Sequence, residues 1–359
     1  MLIEGLQERE IPHLVVNLSG NNTVPNATPS LLRFAEYIKI LVDYFYKTAF
    51  GKKTVYIGIA RSRQGFFRDM LMIWFASMNR HHIICHVKGG DYDHFYAKQP
   101  AWLQFLIRKT LLKVNAILVL GEKLRGMYDF EPQLQKKIHV VPNGLPCIDY
   151  VEPPPKSLPG DISQPIRLLY LSNLIESKGY FDVLEAVKIL VKKYGVFVEC
   201  SFCGEFLANA FDDLKVINPQ QARNRFEKFV KTHGLEKNIQ YRGLVYGSDK
   251  VEILKTSHFF ILPTNYSTEG QPVSIIEAMA YGNVVISTNY RAIPDLVIDG
   301  KTGYFVSYGC PVEIAENIYK LVKNPSKYTE ISRSAITHFK ENFTREAHLN
   351  KIISFLINN

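Results

Sequence analysis

The sequence lacks any long uninterrupted apolar run. A membrane-spanning helix needs about 18 such residues, and the most apolar region, around MLMIWFASM, is broken by Arg68, Asp69 and Arg80. This reading excludes a helix that crosses a bilayer. A secretory leader is not expected either, because MLIEGLQERE does not read as a basic segment leading into an apolar core and a small-residue cleavage site. The expected compartment is the cytoplasm. Cysteine is scarce and odd in number: Cys85, Cys147, Cys200, Cys203 and Cys310 show no repeating spacing, which fits reduced thiols better than a disulfide framework. Cys200 and Cys203 form a CxxC, but it lies inside VFVECSFC, a strand-like run, and no second pair or nearby His completes four ligands. Internal repeats and low-complexity tracts are absent as well, which excludes solenoids and long disordered tails.

What is present suits a folded enzyme-sized chain. At roughly 150 residues per domain, 359 residues imply two domains. Hydrophobic residues at 47% and charged residues at 21% supply two sizeable cores. The net charge of +9 is uneven, since residues 1–150 hold 19 Lys and Arg against 12 Asp and Glu, leaving only +2 for the remainder. A basic first half attracts an anionic partner, whether nucleic acid, lipid or acidic substrate. With no basic arm and no recognition motif, nucleic acid is not expected.

Short β-branched or apolar runs recur between helical stretches: HLVVN at 13, TVYIGIA at 54, HIICHV at 82, AILVLG at 116, IRLLYLS at 166, VFVECSF at 196, FFILP at 259 and VVIST at 284. Strands alternating with helices predict an α/β protein with parallel sheets covered on both faces. The proline-rich run VEPPPKSLPGDISQP at 151–165 separates the two series. The expected domains are therefore residues 1–155 and 156–335, followed by a helical segment, 336–359, that either docks across to the first domain or caps its own. Ligands of such sheets bind outside the carboxyl ends of the strands, and two such domains place a cleft between them.

The chemistry concentrates in FFILPTNYSTEGQPVSIIEAMAYGNVVIS. A buried strand ends at Pro263, and Glu269 and Glu277 follow with seven residues between them. Gly270, Gln271 and Pro272 lead into a helix whose free first-turn amides, near Val273 and Ser274, can hold a phosphate. Glu277, one turn in, can accept hydrogen bonds from a ribose diol, and Glu269 in the loop can reach sugar hydroxyls. Alone, either Glu is an ordinary surface residue; strand, loop, paired Glu and helix together point to a site. A second piece is LLYLSNLIESKGYFDVLEAVKIL, where a loop carries Asn173 and Lys178 and Gly179 opens a helix. A helix end contributes only about 0.3–2 kcal/mol to an anion, whereas enzymes lower barriers by about 8–23 kcal/mol. A departing diphosphate therefore needs a stronger cation, and Lys178 is the natural supplier.

These residues resemble glycosyltransferase family 4, retaining enzymes of the GT-B fold: two Rossmann-like domains with parallel sheets facing across a cleft. The likeness is strongest through IRLLYLSNLIESKG, YRGLVYGSDK and ILPTNYSTEGQPVSIIEAMAYGNVVISTNYRAIPDLVIDGKTGYFV, with VVPNGLP just before, and looser at HIICHVKGGDYDHFY and AILVLGEKL. The resemblance implies transfer of a sugar from a nucleotide sugar with retained anomeric configuration. It assigns Glu269 to the donor sugar, Glu277 to the ribose, the amides of Gly270 to Ser274 to sugar and phosphate, and Lys178 to the pyrophosphate. Where the family has a partner arginine this chain has Asn173, which carries no charge, so the clamp would rest on Lys178 or borrow a basic residue from the first domain.

His86 matches a family histidine near the reacting sugar, where a group titrating near neutrality could orient hydroxyls, although a core-edge histidine reads the same way. Lys88 is the nearby substitute. Asp91 and Asp93 spell DYD, a superficial metal-binding pattern that is set aside because the GT-B enzymes stabilise the leaving group with protein charge. No metal or other cofactor is expected. The predicted catalytic set is His86, Glu269 and Lys178, working by front-face retention in which the leaving diphosphate takes the acceptor proton.

The acceptor is expected against the first domain, as a saccharide or a polyprenyl-linked saccharide in cell-surface polysaccharide biosynthesis. The stretch PAWLQFLIRKTLLKV mixes Trp102, Phe105 and Leu106 with Arg108, Lys109 and Lys113, suiting either an anionic membrane surface at the inner face of the cell membrane or ordinary packing on a sheet. A different class of function stays open: a catalytically silent relative that binds a sugar nucleotide or scaffolds a membrane assembly. Family members begin with a strand and a glycine-rich loop, whereas this chain opens at MLIEGLQEREIPHLVVN, so an absent first strand and loop, with Met1 as an internal start or a truncation point, is expected.

Overall fold

The computed structural model describes residues 1–18, 31–146, 150–161, 163–207 and 218–357; Cys147 lies outside them. The chain divides into two compact units, Met1–Pro142 with His348–Asn359, and Asn143–Ala347.

In the first unit, strands β1 (Thr54–Gly58), β2 (His82–His86), β3 (Ala116–Val119) and β4 (Ile138–Val140) form a parallel sheet in that order. HIICH and AILV are almost wholly buried because helices cover both faces, which is why these strands read as unbroken apolar runs. The helix Arg345–Ile357 belongs mainly to this unit, with Ile352 packed among Ile84, Ala116, Leu118 and Val141. Leu349 of the same helix meets the helix Leu2–Glu8 at Gly5, where a Cβ would stand 2.7 Å from its methyls.

In the second unit, β5 (Ile166–Leu171), β6 (Val198–Cys203), β7 (Ile239–Gly243), β8 (Phe259–Leu262), β9 (Val284–Ser287) and β10 (Gly303–Phe305) form a parallel sheet ordered β10-β9-β8-β5-β6-β7. The chain lays down β5, β6 and β7 in one direction and then returns to place β8, β9 and β10 on the other side. The order reverses between β5 and β8, and at such a switch point the loops diverge and leave a crevice.

Three expectations need correction. The boundary falls at Pro142 and Asn143 rather than at 155 and 156, because the proline-rich run is not a free linker. Lys156 reaches into the second unit, where its ammonium donates to Leu254 O at 2.7 Å, to Asn283 Oδ1 at 3.1 Å and to Ser257 O. Tyr150 OH likewise donates to Ala280 O at 2.7 Å. The terminal segment does join the first unit, one of its two expected places, but only from His348 and not as one helix: Pro325–Asn342 lies on the second unit and Arg345–Ile357 follows it. HLVVN is not a strand: residues 11–18 make no ladder, and Leu14 and Val15 are exposed, so a β-branched run without a sheet edge to pair with stays irregular. Among the described residues, no helix is long and apolar enough to cross a membrane.

Candidate functional site

The second unit gathers its predicted residues at the switch point. The loop after β5 closes in a short turn, Glu176–Lys178, and the helix Tyr180–Lys192 starts from Gly179 at φ +76°. A Cβ at Gly179 would lie 2.4 Å from Pro263 O, so only glycine lets this loop rest on the end of β8. Asn265 N donates to Ser177 O at 2.7 Å, tying the same two loops together. Lys178 is thereby fixed: its Nζ stands 3.3 Å from Glu269 Oε2, 3.1 Å from Ser172 Oγ and 4.9 Å from the centre of the Tyr266 ring. Glu269 is 8% exposed and also accepts from Thr264 Oγ1 at 3.3 Å. Beside Thr264, a hollow of about 400 Å³ opens at the carboxyl ends of β8, β9 and β10, with Asn265, Thr288, Tyr290 and Glu313 in its lining.

Gly270 and Gln271 lead to the helix Val273–Ala280, with Pro272 as its N-terminal cap. Ile275, Ile276, Met279 and Ala280 are buried, which anchors the helix in the core. The first-turn amides of Val273 and Ser274 have no intrahelical partner by geometry. Glu277 is nearly buried too, and its Oε1 accepts from Lys250 Nζ at 2.7 Å. A carboxylate taken out of water needs such a partner. Sequence reasoning missed Lys250: the segment YRGLVYGSDK was visible, but only folding sets the helix Gly247–Thr256 against Glu277.

Gln271 is engaged at one end only. Its Oε1 accepts from Asn143 N at 2.6 Å, and its main-chain oxygen accepts from Asn143 Nδ2 at 3.1 Å. Because the partner at Oε1 is a backbone N–H, which can only donate, the orientation of the carboxamide is fixed. Its Nε2 is buried and has no hydrogen-bond partner among the described residues. Asn143 and its contact were not anticipated. Asn173 Oδ1 accepts from Glu205 N at 3.4 Å, a bond that joins the β5 and β6 loops and adds no charge.

His86 lies in the first unit, fully buried, with Nδ1 2.6 Å from Tyr56 OH on β1 and Nε2 unpartnered among the described residues. Burial, aided by Lys88 and His348, pushes its pKa down to about 2. The expectation of a group titrating near neutrality therefore fails: burial, with Lys88 nearby, keeps the ring neutral. Burial also lowers Lys88 to about 8. His348, on the terminal helix, stands with Nδ1 2.5 Å from Pro142 O and is brought down to about 4 by burial.

Asp91 of the DYD pattern is ion-paired with Arg61, and Asp93 lies 3.9 Å from His94 Nε2. Cys200 and Cys203, three apart on β6, fall on opposite faces of the strand. Among the described residues, no group of three or more His, Cys, Asp or Glu is placed to hold a metal ion.

The description "glycosyl transferases group 1" matches residues 160–338. The chain is 23% identical over 199 residues to the amylovoran biosynthesis glycosyltransferase AmsK of Erwinia amylovora, a match covering 54% of this chain and 45% of that protein. It is also 23% identical over 315 residues to the uncharacterized glycosyltransferase MJ1069 of Methanocaldococcus jannaschii, covering 83% and 74%. The chain thus spans under half the length of the first of these relatives. Among solved structures it is similar to Anabaena Alr3699/HepE in complex with UDP and glucose, at a TM-score of 0.68 and 16% identity over 99% of this chain and 88% of that one. That likeness establishes the GT-B fold for the whole chain. The match runs from just before β5 through most of the helix Pro325–Asn342, and places the second unit in the glycosyl transferases group 1 family.

Proposed function

We propose that this protein is a retaining glycosyltransferase that moves a sugar from a nucleotide-sugar donor to a saccharide or polyprenyl-linked saccharide in the assembly of a cell-surface polysaccharide. The observation that carries the reading is the meeting of Lys178 and Glu269 at the switch point, next to a helix start that bears Glu277. Lys178, already aimed by Glu269, Ser172 and Tyr266, takes the charge that develops on the leaving diphosphate, together with the amides of Val273 and Ser274. Glu269 holds hydroxyls of the donor sugar and Glu277 the ribose. Lys250 supplies a second cation in this unit where Asn173 supplies none. No metal is required.

In this reading the bond from the anomeric carbon to the diphosphate oxygen breaks on the face where the bond to the acceptor oxygen forms. The acceptor proton passes to the departing diphosphate. Buried and neutral, His86 orients a hydroxyl through its free Nε2 and carries no charge. The polysaccharide setting is supported by the name of the AmsK relative, and the nucleotide by the UDP bound to Alr3699/HepE.

Thermal shift with a panel of UDP- and GDP-sugars tests the reading first, because a ligand present at about 100 times its Kd stabilises the native state by about 2.7 kcal/mol. At least one donor raises Tm, and the same donor then supports release of nucleoside diphosphate with transfer to a polyprenyl-linked acceptor. If no donor raises Tm, the reading is wrong. The neutral Asn173 keeps a second reading in view, a sugar-nucleotide binder without turnover. Binding with no transfer, unchanged by Glu269→Ala, selects it.

A further inference from the structure

We propose that the helices Arg63–Met78 and Ala101–Leu111 of the first unit present a surface that docks on an anionic lipid bilayer. This goes beyond the proposed reaction and does not depend on it.

Between Phe66 and Met78 the first helix has only two charged residues, Arg68 and Asp69, and these pair with each other at 2.7 Å. It therefore has no continuous polar face to turn to water. A helix apolar all round is ordinarily buried all round, yet Phe67, Leu71, Trp74 and Met78 are exposed. Their spacing of four, three and four residues lines them along one stripe. The second helix buries Leu103, Ile107 and Leu111 in the core and turns Trp102 and Phe105 outward beside that stripe. One face of it thus packs on the fold and the other presents aromatics.

Side-chain contacts tie the surface together. The rings of Phe67 and Trp102 stack at 6.3 Å, and Trp74 Nε1 donates to Thr110 Oγ1 at 3.0 Å. Both tryptophans of the chain lie here, 38% and 58% exposed. A residue with an apolar body and a polar edge suits the boundary between lipid and water.

Charge selects the occupant. Lys109 Nζ lies 5.5 Å from the centre of the Phe105 ring, and Lys113 Nζ lies 5.3 Å from that of Trp74, so the aromatic patch is rimmed by ammonium groups. The helix Ala101–Leu111 has no carboxylate, and Asp69, the one in Arg63–Met78, is buried and paired. Nothing on these two helices repels an anionic headgroup, whereas a second copy of the patch would bring lysine against lysine.

The test uses the full chain and needs no substrate. Because both tryptophans sit in the patch, their emission reports docking directly. Vesicles of phosphatidylglycerol and phosphatidylcholine in equal parts shift it to the blue and sediment with the protein; pure phosphatidylcholine does so at least about tenfold more weakly, each basic residue near such a surface being worth about fivefold. Lys109→Glu with Lys113→Glu weakens vesicle binding by at least about tenfold and leaves Tm unchanged. Trp102→Ser with Phe105→Ser weakens it on both vesicle types. Equal binding to the two vesicles, or no emission shift on either, overturns the proposal. So does a blue shift that follows protein concentration without vesicles and sediments as a dimer, which assigns the patch to a second copy.

Discussion

Lys178 Nζ and Glu269 Oε2 stand 3.3 Å apart with their side chains no more than 15% exposed, although 90 residues of chain separate them. The pair exists because β5 and β8 are neighbours, and it holds the ammonium in place before any ligand arrives. Lys178→Met should slow transfer by about a hundredfold to a thousandfold, the usual cost of losing one group aimed at developing charge. It should also destabilise the fold by about 3 kcal/mol, because an unpaired carboxylate remains buried. Adding Glu269→Gln should restore most of the lost Tm and none of the activity. Recovery of transfer in the double variant would mean that Lys178 serves the fold alone.

Gln271 gives a finer probe of the donor. With Oε1 committed to Asn143 N, its Nε2 offers a hydrogen bond that the protein itself does not use. Gln271→Glu keeps an acceptor for Asn143 and deletes that donor. Nucleotide-sugar affinity should fall by about 5- to 15-fold, equivalent to about 1–1.5 kcal/mol, while binding of the nucleoside diphosphate alone is unchanged. Calorimetric titration with both ligands separates the two; an equal loss for both would place Nε2 against the phosphates.

Gly179 tests the geometry beneath the site. Gly179→Ala combines a left-handed φ of +76° with a Cβ at 2.4 Å from Pro263 O. The expected cost is about 1–3 kcal/mol, read as a lowered Tm, with donor affinity falling because the loops carrying Lys178 and Glu269 are forced apart. A variant with unchanged Tm would show that this contact can relax.

Acid should weaken the fold through two buried histidines, His86 and His348, and the half-buried His258. His258 and His348 are brought down to about 4 and His86 to about 2, burial being the main cause in each, from an ordinary value of 6.5. Below 6.5 the unfolded chain binds protons that the folded chain refuses, so stability falls with decreasing pH at up to about 1.4 kcal/mol per pH unit for each group. The loss continues to about pH 4 for His258 and His348 and further for His86; well above 6.5 these groups add no slope. His348→Gln, which keeps a donor for Pro142 O, should flatten the decline of Tm between about pH 6.5 and pH 4.5. An unaltered slope would show that His348 titrates as it does in water.

The central strands were legible because parallel strands buried on both faces leave unbroken apolar runs, as in AILV and FFIL. Apart from β10, which lies within TGYFV, the two outside those runs are edge strands of a different character. β4 has three residues, and β7, IQYRG, turns Gln240 and Arg242 outward, so neither makes a run. HLVVN erred in the opposite direction, since local preference cannot supply a pairing partner. At the site, Lys178, Glu269 and Glu277 could be read in order along the chain. Lys250 and Asn143 could not, because they matter only through contacts across 27 and 128 residues of sequence. His86 was visible as a residue, but its neutrality follows from burial, which no local pattern encodes.

The helix at the chain's end bears on how the protein is made. Ile84, Ala116, Leu118 and Val141 leave the ribosome before residues 143–347, and Ile352, which packs among them, follows only after that stretch. Residues 143–347, a continuous stretch, can fold in between. At about 5–20 residues per second their synthesis takes about 10–40 s, during which one apolar face of the first sheet waits uncovered. The first unit is therefore completed only after the second has been synthesised, and its open sheet is exposed to aggregation and to chaperones in that interval.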